Sequence, residues 1–177
     1  ALVVMTNPLY METEILHQMN DCGAKFLITL DLLWPKIEKL RKKLPVEKVC
    51  VTSIADCLRF PYNSLYRLKA WKEKTKVPVP YDGRTVLKWE ELACGKQTFT
   101  CRGIDPRKDA ALLQYTGGTT GVAKGCIITH FNLAANMQQC RAMIHDLAKN
   151  GDTFLGVLPY FHIYGLTVGL NWPTLIG

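Results

Sequence analysis

The sequence predicts an α/β fold, layered helix–sheet–helix around a largely parallel sheet. Three observations carry this expectation. Apolar runs of strand length recur at residues 2–5, 26–30, 48–52, 110–114, 126–129 and 154–158. Segments with apolar residues at helical spacing separate several of them, and strand–helix alternation favours parallel neighbours joined by crossovers. Between the runs at 110–114 and 126–129 stands a glycine-rich connection, Tyr115-Thr116-Gly117-Gly118-Thr119-Thr120-Gly121-Val122-Ala123-Lys124-Gly125.

Residues 2–5 read as a buried strand, and Asn7-Pro8 turns the chain. A helix is predicted over 12–22, with Ile15, Leu16 and Met19 at helical spacing and Gly23 as its stop. Its start lacks a Ser, Thr or Asp cap, since Met11 precedes Glu12. Residues 26–30 form the next strand. A helix follows over 32–44, with Asp31 as cap, Pro35 confined to the first turn, and a basic end that suits the helix dipole. Residues 48–52 are a third strand.

Residues 56–97 are the least regular stretch. Phe60, Tyr62, Leu65, Tyr66, Leu68 and Trp71 mix with Arg59, Arg67, Lys69, Lys72, Lys74 and Lys76. Aromatic residues among basic ones are suited to an anionic membrane surface, which makes 59–76 a candidate for peripheral contact. Pro61 and Pro78 argue against one continuous amphipathic helix, so packing of these aromatics on their own domain is the favoured reading. Residues 86–92 read as a short strand and turn.

Past the glycine-rich connection a helix is predicted over 130–149, capped by Thr129 and ended near Gly151. Leu133, Met137, Cys140, Ile144 and Leu147 step by four and three and form one buried stripe. His130 and His145 read as structural or surface residues. Residues 154–158 are another strand, and 162–177 a buried helix disturbed at Trp172-Pro173. From Thr153 to Gly177 there is no Asp, Glu, Lys or Arg, which is long enough to raise a transmembrane span. Pro159, His162, Asn171 and Pro173 interrupt it, and strand, turn and helix account for both its length and its breaks.

The 177 residues leave room for one domain with a real core, and 48% apolar residues is ordinary globular composition. The net charge of +7 invites a nucleic-acid partner. The surplus lies mainly at 36–48 and 59–88, outside any recognisable RNA- or DNA-binding motif, so no nucleic acid is expected. Seven cysteines, an odd number without Cys-x-x-Cys spacing, read as reduced thiols of a cytoplasmic protein rather than as a zinc site or disulfide framework. Ala1-Leu2-Val3-Val4 lacks the charged start of a signal peptide. It reads as mid-strand, and residues 171–177 stop inside an apolar run. The expectation is a fragment of a longer enzyme.

Chemistry concentrates at the glycine-rich connection. Its four glycines let successive backbone N–H groups face one anion. Its three threonines add hydroxyl donors, and Lys124 adds a point charge suited to phosphate. A Walker A loop is excluded, because Lys124 follows Ala123 and precedes Gly125. The dinucleotide pattern fails because Thr119 stands where it needs glycine. A ligand-free hairpin turn is disfavoured, since such loops are normally two to five residues long. Ser53 and Ser64 are the only serines and neither lies in Gly-x-Ser-x-Gly, which argues against a serine hydrolase. No paired carboxylates point to a glycosidase.

The segment Tyr115 to Gly125 resembles the signature phosphate loop of the acyl-adenylate-forming enzymes, a superfamily of acyl-CoA synthetases, luciferases and adenylation domains. Gly117-Gly118 and Val122-Ala123 look most like the long-chain fatty acyl-CoA synthetase branch. Leu158-Pro159-Tyr160-Phe161-His162-Ile163-Tyr164-Gly165, Asn7-Pro8-Leu9-Tyr10 and the segment from His17 to Ala24 fit the same superfamily, so the resemblance runs from end to end.

The resemblance implies a piece, residues 1–177, of the large N-terminal domain of such a synthetase. It also implies the reaction. A carboxylate attacks the α-phosphorus of ATP, pyrophosphate leaves, and the thiol of CoA displaces AMP from the acyl-AMP. Fatty acid, ATP and CoA are the implied partners, with Mg2+ accompanying ATP. Thr116, Gly117, Gly118, Thr119, Thr120, Gly121 and Lys124 would hold the β,γ-phosphates, with Lys124 neutralising charge as pyrophosphate departs. Tyr160, Phe161 and His162 match the segment lining the acyl pocket, with His162 beside the reacting carboxylate. No metal ligand is assigned. The adenine and magnesium segment, the ribose-binding Asp and the C-terminal domain of such enzymes have no counterpart here, so the chain alone is expected to be inactive. An adenylating ligase for aromatic or branched acids, a non-catalytic nucleotide-binding module and a membrane-attached scaffold are the rival readings.

Overall fold

The computed structural model describes residues 1–93, 100, 103–117, 122–143 and 151–176. The chain divides into two compact units, Met11–Thr100 on the one hand and Ala1–Tyr10 with Cys101–Gly177 on the other.

In the unit Met11–Thr100, helix α1 spans Glu12–Cys22 as expected. Met11 has no capping side chain, and the Glu14 carboxylate supplies the cap by accepting the Met11 N–H at 2.7 Å. Gly23 ends the helix in the left-handed conformation. Strands β2 (Phe26–Leu30), β3 (Lys48–Thr52) and a third, here β4 (Val86–Lys88), form an all-parallel sheet in the order β2-β3-β4. The first strand of the chain, β1 (Val3–Val4), belongs to the other unit. Val49, Cys50 and Val51 of the central strand are buried in succession, the mark of a strand covered on both faces.

The helix expected over 32–44 is divided. A 3₁₀ turn (Asp31–Leu33), helix α2 (Trp34–Leu40) and a second 3₁₀ turn (Arg41–Lys43) replace it. Pro35 has no N–H, and its ring crowds the carbonyl four residues back, so the α-helix starts only at Trp34, with the proline in its first turn. Asp31 therefore does not cap α2; its carboxylate accepts the Leu32 N–H at 2.8 Å. Trp34, Ile37 and Leu40 are the buried residues of α2.

The stretch 56–97 is more regular than expected. It holds α3 (Tyr62–Lys72) and α4 (Trp89–Ala93), and Pro61 and Pro78 bound α3 rather than break it. Packing of its aromatics on their own unit is not found. No residue of α3 is buried, and Phe60 and Trp71 are 81% and 69% exposed. The turn into β4 is tied by Asp82. Its carboxylate accepts the N–H groups of Arg84, Thr85 and Val86 at 2.7–2.8 Å and the Thr85 hydroxyl at 2.6 Å. The Arg41 guanidinium donates to that same hydroxyl oxygen.

In the other unit, β1 (Val3–Val4), β5 (Ala110–Thr116) and β6 (Lys124–Thr129) form a sheet in the order β1-β5-β6. β1 runs parallel to β5, and β6 antiparallel to it. Three of the four strand pairings among the described residues are thus parallel. They sit in two three-stranded sheets rather than one. β1 is not buried as expected, with Leu2 and Val3 exposed, because among the described residues it is an edge strand with only β5 beside it.

Helix α5 spans His130–Met143. Thr129 caps it: Oγ1 accepts the Asn132 N–H at 3.2 Å, and Asn132 Oδ1 accepts the Thr129 N–H at 3.0 Å. The stripe of Leu133, Met137 and Cys140 is half-buried, not buried, because the neighbours of α5 in this unit cover one side only. Ile144, Leu147 and the expected helix end lie outside the described residues.

No strand forms at 154–158. The run pairs with neither sheet, the Val157 N–H turns back to the Leu155 carbonyl at 3.0 Å, and Leu155 and Val157 are exposed. The final helical run consists of α6 (Ile163–Leu166), a π-helical turn (Thr167–Asn171) and α7 (Trp172–Ile176). Pro173 explains the widened turn. It has no N–H to offer Gly169 four residues back, and the Gly169 carbonyl instead accepts the Tyr160 hydroxyl at 3.4 Å. The run is not a buried helix: Gly165, Leu166 and Trp172 are buried, while Tyr164 and Leu170 are exposed. Among the described residues no helix is long and apolar enough to cross a membrane.

Candidate active site

β5 and β6 pair antiparallel up to Thr116 opposite Lys124, with Tyr115 opposite Gly125 one step earlier. The glycine-rich connection is therefore a hairpin with residues 117–123 between its strands, longer than a tight turn requires. Hairpin geometry and an anion loop are compatible here: the ladder brings the two ends of the loop side by side. Thr116, Gly117 and Lys124 are exposed, and among the described residues Lys124 forms no salt bridge. Gly118, Thr119, Thr120 and Gly121 lie outside the described residues.

Alternation along β5 puts Tyr115 on the face opposite Thr116, where it is buried. A Cβ on Gly125 would stand 3.0 Å from the Tyr115 ring. Glycine there lets the ring lie across the base of the hairpin.

Beside the end of β5 lies a cavity of about 210 Å³. Gln114, Tyr115, Thr116 and Gly117 form one wall, Phe161, His162 and Ile163 another, and Met5, Asn7 and Tyr10 complete it. The structure thus brings Thr116 and Gly117 together with Phe161 and His162, which stand far apart in sequence. Lys124 and Tyr160 do not line this cavity. Lys124 reaches the loop through its pairing with Thr116, and Tyr160 packs beside the π-helical turn through its hydroxyl.

The turn that carries Phe161 and His162 is held from two sides. The His162 N–H donates to the Pro159 carbonyl at 3.1 Å, and the His162 carbonyl accepts the Leu166 N–H at 2.9 Å. A Cβ on Gly165 would stand 2.4 Å from the Pro159 oxygen, so the start of α6 packs backbone to backbone on this turn. From β5, the Gln114 side-chain amide donates to the Phe161 carbonyl at 2.9 Å. The Phe161 and His162 rings lie 6.3 Å apart at 48°.

Gln114, Asn7 and Tyr10 are cavity residues that sequence reasoning did not place in the site. Asn7 and Tyr10 belong to a segment singled out by resemblance, but nothing local tied it to a pocket. Gln114 had a visible signal: it is the one polar residue in the apolar run that leads into the loop.

Cys22, Cys50, Cys57, Cys126 and Cys140 are free thiols, and none lines the cavity. Burial pushes the Cys22 and Cys50 thiols up, away from the reactive thiolate. Among the described residues no group of three or more His, Cys, Asp or Glu is placed to hold a metal ion.

The family described as AMP-binding enzyme matches residues 1–177. A long-chain-fatty-acid–CoA ligase of Bacillus subtilis is 42% identical over all of this chain and 32% of its own length. One of Yersinia pestis is 35% identical over 94% of this chain and 30% of its own. The chain thus spans about a third of the length of the curated relatives it matches. The solved structure of a long-chain-fatty-acid-CoA ligase from Archaeoglobus fulgidus superposes with a TM-score of 0.69 at 28% identity, covering 100% of this chain and 29% of that one.

Proposed function

The chain belongs to the AMP-binding enzyme family, and from that premise we propose that residues 1–177 are part of the N-terminal domain of an ATP-dependent long-chain-fatty-acid–CoA ligase. The observation that carries the reading is the hairpin: Thr116 and Lys124 face each other at its end, and Thr116 and Gly117 share a cavity wall with Phe161 and His162. One end of the cavity then offers hydroxyl and N–H donors to an anion, and the other offers an aromatic ring and an imidazole.

In this reading Thr116, Gly117, Gly118, Thr119, Thr120 and Gly121 bind the β,γ-phosphates of ATP, and Lys124 offsets the charge that develops on the departing pyrophosphate. Phe161 and His162 flank the carboxylate that attacks the α-phosphorus, and Tyr160 belongs with them to the segment that lines the acyl pocket. The acyl-AMP formed is then cleaved by the thiol of CoA. Magnesium finds no carboxylate cluster among the described residues, so these residues are assigned no step through it. The adenine, ribose and CoA contacts fall to the remaining two-thirds of an enzyme of the relatives' length.

The test is acid-dependent exchange of labelled pyrophosphate into ATP by the full-length enzyme, across short, medium, long and aromatic acids. Exchange that peaks with long-chain acids and falls about 10²-fold in Lys124→Ala supports the reading. No exchange with any acid, from folded and magnesium-supplied enzyme, removes it.

One surface observation bears on partners. Phe60, Tyr62, Leu65, Leu68 and Trp71 are exposed beside Arg59, Arg67, Lys69 and Lys72. The cytoplasmic enzyme is proposed to touch anionic membranes through 59–76. Sedimentation with anionic liposomes that persists after removal of these charges would refute that contact.

A further inference from the structure

Gln114 is 7% exposed, yet it lies on a β-strand whose flanking positions carry apolar side chains. A buried amide costs free energy unless its groups are paired. Its NH₂ group is paired: it donates to the Phe161 carbonyl at 2.9 Å and lies 3.4 Å from the Tyr115 carbonyl. Both neighbours are carbonyl oxygens, so the amide orientation is settled, because a flip would set oxygen against oxygen. The Oε1 atom is buried with no hydrogen-bond partner among the described residues. Gln114 also lines the cavity shared by Thr116, Gly117 and His162.

These facts separate Gln114 from an ordinary core residue. Phe161 stands 47 positions further along the chain, so this hydrogen bond ties the strand that ends in the anion loop to the turn that carries His162. The Phe161 carbonyl lies in the peptide that joins Phe161 to His162. Holding that oxygen therefore fixes the plane from which the His162 backbone departs. An apolar side chain of equal size would fill the space and leave the turn untied.

Resting on the ligase reading above, we propose that Gln114 is a positioning residue. It registers the His162 turn against the phosphate loop, so that the acid and the nucleotide are held in one geometry. Its role runs through Phe161 and His162, and a misplacement of about 1 Å at such a turn costs about 10²-fold in rate.

Two variants of the full-length enzyme test this. Gln114→Met keeps the length and loses the hydrogen bond. The expected result is a folded enzyme with an unchanged KM for ATP and a kcat for pyrophosphate exchange about 10²-fold lower. Gln114→Glu keeps the size and places a carboxyl against the Phe161 oxygen. Protonated, it donates as the amide does; ionised, it repels. Its activity is therefore expected to approach the parent's at low pH and to fall as pH rises, a profile that mere space-filling would not produce.

A readout free of turnover separates this proposal from the ligase reading. In enzyme carrying labelled histidine, the His162 resonance is identified by its loss in His162→Gln. It is expected to shift in Gln114→Met. If the parent shows no exchange but the resonance shifts, the ligase reading fails and the tether stands. If exchange is normal in Gln114→Met and the resonance does not move, the proposal is overturned. Should Gln114→Met not fold, the pH profile of Gln114→Glu decides: a flat profile parallel to the parent's overturns it.

Discussion

At the scale of single residues, the local chemistry that is easiest to read is electrostatic. Lys124 is marked by its place after a run of glycines and threonines, and the structure puts it at the hairpin end opposite Thr116. Asp82 carried no such mark. The Thr85 hydroxyl and the backbone N–H groups of Val86, Arg84 and Thr85 hold its carboxyl well below the usual carboxylate range. A carboxyl with a lowered folded pKa stabilises the fold fully above its ordinary value of about 4, and that contribution is lost as pH falls toward the folded value. Asp82→Ala is therefore expected to lower the melting temperature at neutral pH and to flatten its fall on acidification. Thermal melts of parent and variant across the acid range check this; parallel curves would refute it.

At the scale of elements, close backbone packing and caps decide the outcome. The start of α6 rests on the Pro159 carbonyl only because residue 165 lacks a side chain. Backbone cannot yield as a flexible side chain can, so Gly165→Ala is expected to destabilise by about 1–3 kcal/mol. It is also expected to lower the exchange rate, because the same turn carries His162. Denaturant unfolding beside an exchange assay checks both. Thr129→Ala removes the acceptor of the Asn132 N–H at the start of α5 and is expected to cost about 1 kcal/mol. Its effect belongs in the unfolding midpoint. The elements read wrongly were those that needed a neighbour to exist. Residues 154–158 have strand composition, but a strand requires a ladder partner, and none among the described residues pairs with them.

At the scale of the whole molecule, the chain covers about a third of its relatives' length, and many of its apolar side chains face outward. Leu155 is 84% exposed and α5 has no fully buried residue. Such surface is expected to be covered in the full-length enzyme, where backbone amides around 154–158 should exchange with deuterium more slowly than in the 177-residue chain. The chain alone is expected to form no acyl-CoA. A measured acyl-CoA product from these residues alone would contradict that.

Much of this protein was legible without coordinates. The α/β class, the bounds of α1, β2 and β3 and the cap at Thr129 all follow from local causes. Periodicity, a glycine stop and a hydroxyl at a helix start act within a few residues. The tertiary structure alone decided what depends on distant partners. It joined β1 to β5 in a second sheet, let Pro61 and Pro78 bound a helix, left α3 and the 154–158 run exposed, and set Gln114 against Phe161. Burial and pairing are properties of two segments at once, and only folding brings such segments together.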